Sequence, residues 1–394
     1  MSELKVNSIK GTGATTAAIT IDSSSGGCQA NVTNNLSNKN IIINGAMQVA
    51  QRGTSNTTNG YGTVDRVLMG YANVDEAPTQ SQVDVASGTS PFSLGFRKAF
   101  RVTNGNQTSG AGADDYIYFN AQAIEAQNLA TSGWNYVSSS SNITLSFWVK
   151  SSVAQNFYFQ FDVRDGTRHA YAMETGSLTA DTWTKVTKVI PGNSNLTIDN
   201  DNGVGAYITF GLFWGTNLTS SSVSLNAWGV ASDSAKTPDY TSTWYTTNDA
   251  TFEITGVQLE VSDVATDFEH RSFGQELELC KRYCQQFTSG SGDYVLALAN
   301  TWTSTQPRFI LYLHPEMRAA PTFSTPVGSY RFRNATGNTQ NHSGTSASGS
   351  DINSKMAVIT GSQPQGGLTA GNVGQVRLLT GSDEPGTVRF DAEL

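Results

Sequence analysis

Charge is what this chain has least of. Only 14% of its 394 residues are Asp, Glu, Lys or Arg, against roughly 25% in an average soluble protein. The 24 basic and 32 acidic residues leave a net charge of -8. No Lys and Arg cluster stands out, which argues against nucleic acid as a partner. Long apolar runs are missing too. The opening MSELKVNSIK has no apolar signal-peptide core, and no run of about 18 apolar residues occurs. Synthesis in a cytoplasm without membrane insertion is therefore expected. The three cysteines, Cys28, Cys280 and Cys284, are an odd count. Cys280 and Cys284 lie four apart in a helical stretch where bridging geometry is poor, so all three read as free thiols. The four histidines, His169, His270, His314 and His342, are scattered along the chain. That spacing offers neither a zinc site nor a nucleophile with its base. G-x-S-x-G, HExxH and P-loop signatures are absent. No catalytic residue, metal or cofactor is expected.

What the chain does have is Gly, Ser, Thr and Asn, set between short runs with a two-residue alternation. In Ile143 to Lys150 the side chains of Ile143, Leu145, Phe147 and Val149 share one face. Phe157 to Arg164 and Tyr207 to Trp214 repeat the pattern, the latter through Ile208, Phe210, Leu212 and Trp214. The fold class expected is all-β. An extended arm spans 1–40, with too few apolar residues to make its own core and suited to docking. A jelly-roll-like antiparallel β-sandwich spans 41–272. One amphipathic linking helix spans 273–287, with Leu277, Cys280, Tyr283, Cys284 and Phe287 at helical spacing. A small C-terminal β domain spans 288–394, with strands near 294–299, 308–313, 356–360, 376–380 and 387–390. Its polar stretch from Asn334 to Lys355 reads as a long surface loop.

Three kinds of residue are candidates for function. Acid groups (Asp114 with Asp115, Asp162 with Asp165, and Glu253, Glu260 and Glu269) could serve glycoside chemistry if paired across a groove. They read better as turn and strand residues. The run Asp199 to Gly203 resembles half a calcium loop but lacks the downstream Glu, so a polar turn is preferred. Aromatics in loop-like settings, Trp134, Tyr136, Trp228, Trp244 and Tyr245, are the glycan-binding candidates, because sugar rings stack on Trp and Tyr faces. Trp148, Trp183 and Trp214 read as packing residues.

Three stretches carry a family resemblance: NIIINGAMQVAQRG at 40–53, TFEITGVQLEVSDVATDFEHRSFGQELELCKRYC at 251–284, and TVRFDAEL at 387–394. They resemble tail-fibre and minor virion structural proteins of tailed bacteriophages. Asp263 and Cys284 depart from the family pattern, where Gly and Tyr are frequent. The resemblance implies a virion structural protein, a tail-fibre subunit attached to other tail proteins through residues 1–40. It also implies a homotrimer and recognition of a host-surface glycan or protein, with the C-terminal domain as receptor-binding tip. The alternatives are a head fibre, decoration protein or tail adaptor without host contact, and a polysaccharide depolymerase spike.

Overall fold

The computed structural model describes residues 38–289 without a break. It also describes 6, 8–9, 12, 19–21, 28–30, 294–303, 306–327, 330–334, 339–342, 345–346, 352–361, 369–378 and 387–394. The chain is all-β, with every strand pair antiparallel among the named strands and only short helices. Within the arm, β1 (Ser8–Ile9), β2 (Ile19–Ile21) and β3 (Cys28–Ala30) pair into a small sheet of their own. The expected docking of the arm lies outside the described residues, and so does the side chain of Cys28.

The body follows in chain order: β4 (Ser55–Asn56), β5 (Leu68–Ala72), β6 (Thr79–Asp84), α1 (Ser90–Ser93), β7 (Lys98–Thr103), β8 (Tyr116–Glu125) and α2 (Ala126–Ala130). Then come β9 (Asn142–Ser151), β10 (Asn156–Val163), β11 (His169–Ser177), β12 (Thr184–Pro191), β13 (Val204–Trp214), β14 (Trp228–Val230) and β15 (Thr251–Val261). They form two six-stranded sheets, ordered β14-β11-β10-β13-β8-β5 and β12-β9-β15-β7-β6-β4. The alternation read from sequence appears as burial: Ile143, Leu145, Phe147 and Val149 are all 0% exposed. Phe210 sits at the centre, stacked on Phe119 at 4.9 Å and Phe159 at 5.0 Å and meeting Phe147 edge-on at 5.0 Å. Each buried Phe contributes on the order of 2–3 kcal/mol of apolar burial, so this cluster holds the two sheets together.

One strand breaks the expected alternation. In β13 the register against β8 shifts between Gly211 and Phe213. That extra residue exchanges the faces: Phe213 turns inward onto Tyr245 at 3.9 Å, and Trp214 turns outward onto Tyr118 at 5.2 Å. Trp214 is a buried packing residue, as its spacing implied, but it packs on Tyr116 and Tyr118 on the outer side of the sheet and not between the two sheets.

The helix is shorter than expected. α3 spans Phe273–Lys281, opened by a capping box of Ser272 and Gln275. Helical spacing continues to Phe287, but Arg282 and Tyr283 leave the helix to donate hydrogen bonds to the buried Glu125 carboxylate. The chain then enters strand β16 (Cys284–Thr288). Cys280 and Cys284 are free and buried, and burial pushes both thiols well above their ordinary pKa.

Beyond it lie β17 (Tyr294–Thr301), β18 (Pro307–Tyr312), β19 (Thr322–Val327), β20 (Tyr330–Asn334), β21 (Thr339–His342), β22 (Thr345–Ser346), β23 (Met356–Gly361), β24 (Val373–Leu378) and β25 (Thr387–Asp391). They form a seven-stranded sheet, β21-β20-β24-β17-β18-β23-β22, and a three-stranded one, β16-β25-β19. A second core, including Phe309, Leu311, Ile359, Val376 and Phe390, lies among them. The stretch from Asn334 to Lys355, expected as loop, contains β21 and β22, and parts of it lie outside the described residues.

The three stretches that carry the family resemblance meet at one junction. Gly45 lies so close to the β15 backbone that a Cβ there would stand 2.1 Å from the Val257 carbonyl oxygen. The backbone of Asn44 donates to Glu276 at 2.6 Å, and Arg271 donates to the Ile42 carbonyl at 3.1 Å. Arg52 pairs with Asp391 at 2.7 Å and Glu393 at 3.2 Å. Arg66, itself 0% exposed, pairs with Glu393 and lies 3.4 Å from the Tyr283 ring centroid. The motifs thus mark the joint between body and terminal unit.

Candidate functional site

The outer face of the β14-β11-β10-β13-β8-β5 sheet carries a groove of about 420 Å³. Its floor consists of the side chains that alternate with the core. Register places Gln160, Thr209, Asn120 and Leu68 in one row across β10, β13, β8 and β5. A second row runs Tyr158, Gly211, Tyr118, Gly70. Its two glycines make room for the rings beside them. A Cβ at Gly211 would lie 1.9 Å from the Trp214 indole nitrogen, and one at Gly70 would lie 2.4 Å from the Tyr118 ring. The wall comes from the segment after β13. The Tyr240 hydroxyl accepts from the Trp214 backbone at 2.9 Å, and Lys236 donates its backbone N–H to the Leu218 carbonyl at 2.9 Å.

The groove mixes aromatic faces with charged and amide groups. Tyr116, Tyr118 and Trp214 form a cluster, with Lys236 5.3 Å from the Trp214 ring and Arg164 5.1 Å from that of Tyr207. Arg164 and Arg168 both donate to Asp162 Oδ2, at 2.8 and 2.9 Å. Asp233 pairs with Lys236 at 2.8 Å and with Arg168 at 3.5 Å, and the hydrogen bond from Lys236 holds its carboxyl below the usual range. Burial pushes the Tyr118 phenol upward, helped by Tyr116 and Tyr207, so it stays a neutral donor. Among the described residues Asp162 Oδ1, Arg168 Nε and Trp214 Nε1 have no hydrogen-bond partner. A floor that combines aromatic faces with fixed donors and acceptors suits a polyhydroxylated ring.

Most of the aromatics expected to bind sugar are elsewhere. Trp134, Trp244 and Tyr245 are 3%, 0% and 1% exposed and belong to the body core. Trp134 donates to the Ser141 carbonyl at 3.1 Å, and Tyr245 donates to Asp115 at 2.8 Å. The loop carrying Trp244 and Tyr245 folds back into the sandwich, where Asn104 donates to their carbonyls. None of these three presents a face to a ligand. Tyr136 and Trp228 are half-buried, packed on the same core. Trp228, expected in a loop, is in β14 and donates to the Pro191 carbonyl at 2.7 Å. Sequence reasoning missed Tyr116, Tyr118, Tyr207 and Trp214. The available signal was glycine inside strands, at Gly70 and Gly211, which marks bulges and close approaches.

The acid groups are accounted for by structure. Asp115 accepts from Gly112 and Tyr245, and Asp165 from the Asp199 backbone. Glu253 pairs with Arg101 and Lys150, Glu260 accepts from Thr266, and Glu269 from Asn38 and Asn40. In the half calcium loop, Asp201 accepts from its own Gly203 backbone at 2.8 Å. Among the described residues no group of three or more His, Cys, Asp or Glu is placed to hold a metal. No helix there is long and apolar enough to cross a membrane.

No protein-family model and no curated protein matches the chain. Solved structures similar to it include the enzymatically active domain of tailspike protein 4 of bacteriophage CBA120, at 12% identity over 57% of this chain, with a TM-score of 0.30. The chain spans 22% of that domain's length. A sugar-binding protein of Bacteroides thetaiotaomicron matches over 57% of this chain and 100% of its own, at 10% identity and TM-score 0.29. A family 30 carbohydrate-binding module matches over 62% and 97%, at 11% identity and TM-score 0.28. These likenesses are too slight to assign function, which rests on the groove itself.

Proposed function

We propose that this chain is a non-enzymatic, glycan-binding structural subunit of a tailed-bacteriophage particle, with the β8-β10-β13 groove as its sugar site. The observation that carries the binding role is the groove floor. The half-buried rings of Tyr116 and Tyr118, backed by the buried Trp214, lie beside Asn120, Gln160 and the Asp162–Arg168 pair in a hollow of about 420 Å³. Both groove acids, Asp162 and Asp233, are ion-paired to cations, which supports orienting hydroxyls over cleaving a glycosidic bond. The virion role, as a tail-fibre subunit with residues 1–40 as its attachment arm, is supported by the resemblance of the three motif stretches.

Self-association, as a homotrimer in the tail-fibre reading, is supported by the terminal unit. Leu298, Tyr312 and Val373 are 75%, 76% and 67% exposed. They alternate with core residues along β17, β18 and β24, so all point away from the second core.

The test is a glycan microarray probed with the full chain and with Tyr118→Ala. Binding to at least one glycan class, weakened about tenfold or more in the variant, is the expected result. Equal binding by both proteins would move the site elsewhere, and no binding by either would remove the glycan role.

A further inference from the structure

On the opposite sheet of the body, the β15 ladder is interrupted. Thr255 pairs with Trp148 and Gln258 with Ser146, so β15 has one more residue than β9 between these pairs. Gly256 sits in this bulge with φ of +64°, and a Cβ there would lie 2.7 Å from the Phe96 ring. The bulge turns Val257 into the core, where its N–H donates to the Gly45 carbonyl at 2.9 Å. It leaves a hollow of about 250 Å³ on the outer face. Bulges re-aim side chains at sites of this kind.

We infer that this hollow is a second carbohydrate site, built for a single neutral pyranose ring. Trp148 lies half-exposed along it, and Phe96, Phe268 and His270 pack as a trio with centroids 4.9–5.1 Å apart to make its wall. His270 is fixed by a 2.9 Å hydrogen bond to the Leu94 carbonyl. Ser146, only 4% exposed, is on the floor. Lys185, the register partner of Trp148, and Asp267 are exposed on the rim and form no ion pair with each other. A donor on one side and an acceptor on the other, with no net charge between them, match a ring bearing hydroxyls better than an anion or a cation. The volume falls below the roughly 300 Å³ at which pockets for drug-sized ligands begin, so one ring fits and a chain of rings does not. This site stands independently of the groove, because it is built from the other sheet. With both sites filled, one chain would hold two separate sugar residues and gain from their linkage.

The experiment is saturation-transfer NMR on the full chain with the methyl glycosides of glucose, galactose and mannose as probes. Transfer to at least one of them is expected, retained in a Tyr116→Ala/Tyr118→Ala groove variant and lost in Trp148→Ala. Because Trp148 also packs on neighbours, Lys185→Ala and Asp267→Asn provide the second test. Both are surface changes expected to leave thermal unfolding in place and to weaken binding about three- to tenfold. Three results would overturn the site: no transfer from any probe, transfer that disappears in the groove variant, or affinity untouched by both rim variants. Loss in the groove variant alone would refute the second site and leave the groove standing. Loss in Trp148→Ala alone, with a silent groove on the glycan array, would do the reverse.

Discussion

The body and the terminal unit use the same alternation and present opposite outer faces. In β8, β10 and β13 the outward positions hold Tyr116, Tyr118, Asn120, Gln160, Asp162, Tyr207 and Thr209, which mix rings with polar groups. In β17, β18 and β24 the outward positions include Leu298, Ile310, Tyr312 and Val373. The first face can stay in water and still grip a hydrated ligand. The second loses free energy for as long as it stays uncovered. A strand's inward residues therefore determine how it folds, and its outward residues what it meets.

This contrast can be broken at several points. The largest effect is expected at the body's centre: Phe210→Ala should cost about 3–5 kcal/mol in denaturant unfolding, because four rings lose their common neighbour. Next is the joint. Glu393→Ala strips Arg66 of its carboxylate and Arg52 of one of its own, and it should cost a similar 3–5 kcal/mol as buried cations lose compensation. If the two units unfold separately in the wild type, that variant should leave the body's midpoint untouched, which calorimetry would show.

A smaller effect concerns acid. Burial pushes the Glu125 carboxyl up, but hydrogen bonds from Arg282 and Tyr283 outweigh it and hold the group below its ordinary value of 4.5. Its contribution is complete above pH 4.5 and fades as pH falls through the lower folded value. The melting temperature of the wild type should therefore drop below pH 4.5 more steeply than that of Glu125→Gln; parallel curves would sink the assignment. The smallest change in folding stability is expected on the bare face. Leu298→Lys with Tyr312→Glu should alter unfolding by about 0.5 kcal/mol or less. Light scattering should nevertheless show a smaller mass than for the wild type, and an unchanged mass would remove this face as a self-association surface.

How much of this was legible in the sequence depended on how local the deciding contact was. Strands such as Ile143 to Lys150 could be read directly, because alternation is a property of neighbours. The helix is shorter than its spacing implies because spacing says nothing of Glu125, 157 residues from Arg282, whose carboxylate takes that side chain just past the last helical turn. Trp244 and Tyr245 looked like loop aromatics, and composition could not show that Asn104 holds that loop against the core. The groove was hidden for the same reason: its floor is assembled from β8, β10 and β13, and only register brings Gln160, Thr209 and Asn120 into one row.

The pairing of Arg66 with Glu393 has a consequence for how the molecule is made. The two residues lie 327 positions apart in the chain, and Arg52 and Asp391 lie 339 apart. During synthesis the body emerges long before these two acids, which leaves Arg66 without its carboxylate and Arg52 with Asp65 alone, at 3.7 Å. A ribosome that stops before Asp391 releases a body whose joint holds unbalanced positive charge. Such a fragment should unfold more readily than the whole chain and be cleaved faster by proteases.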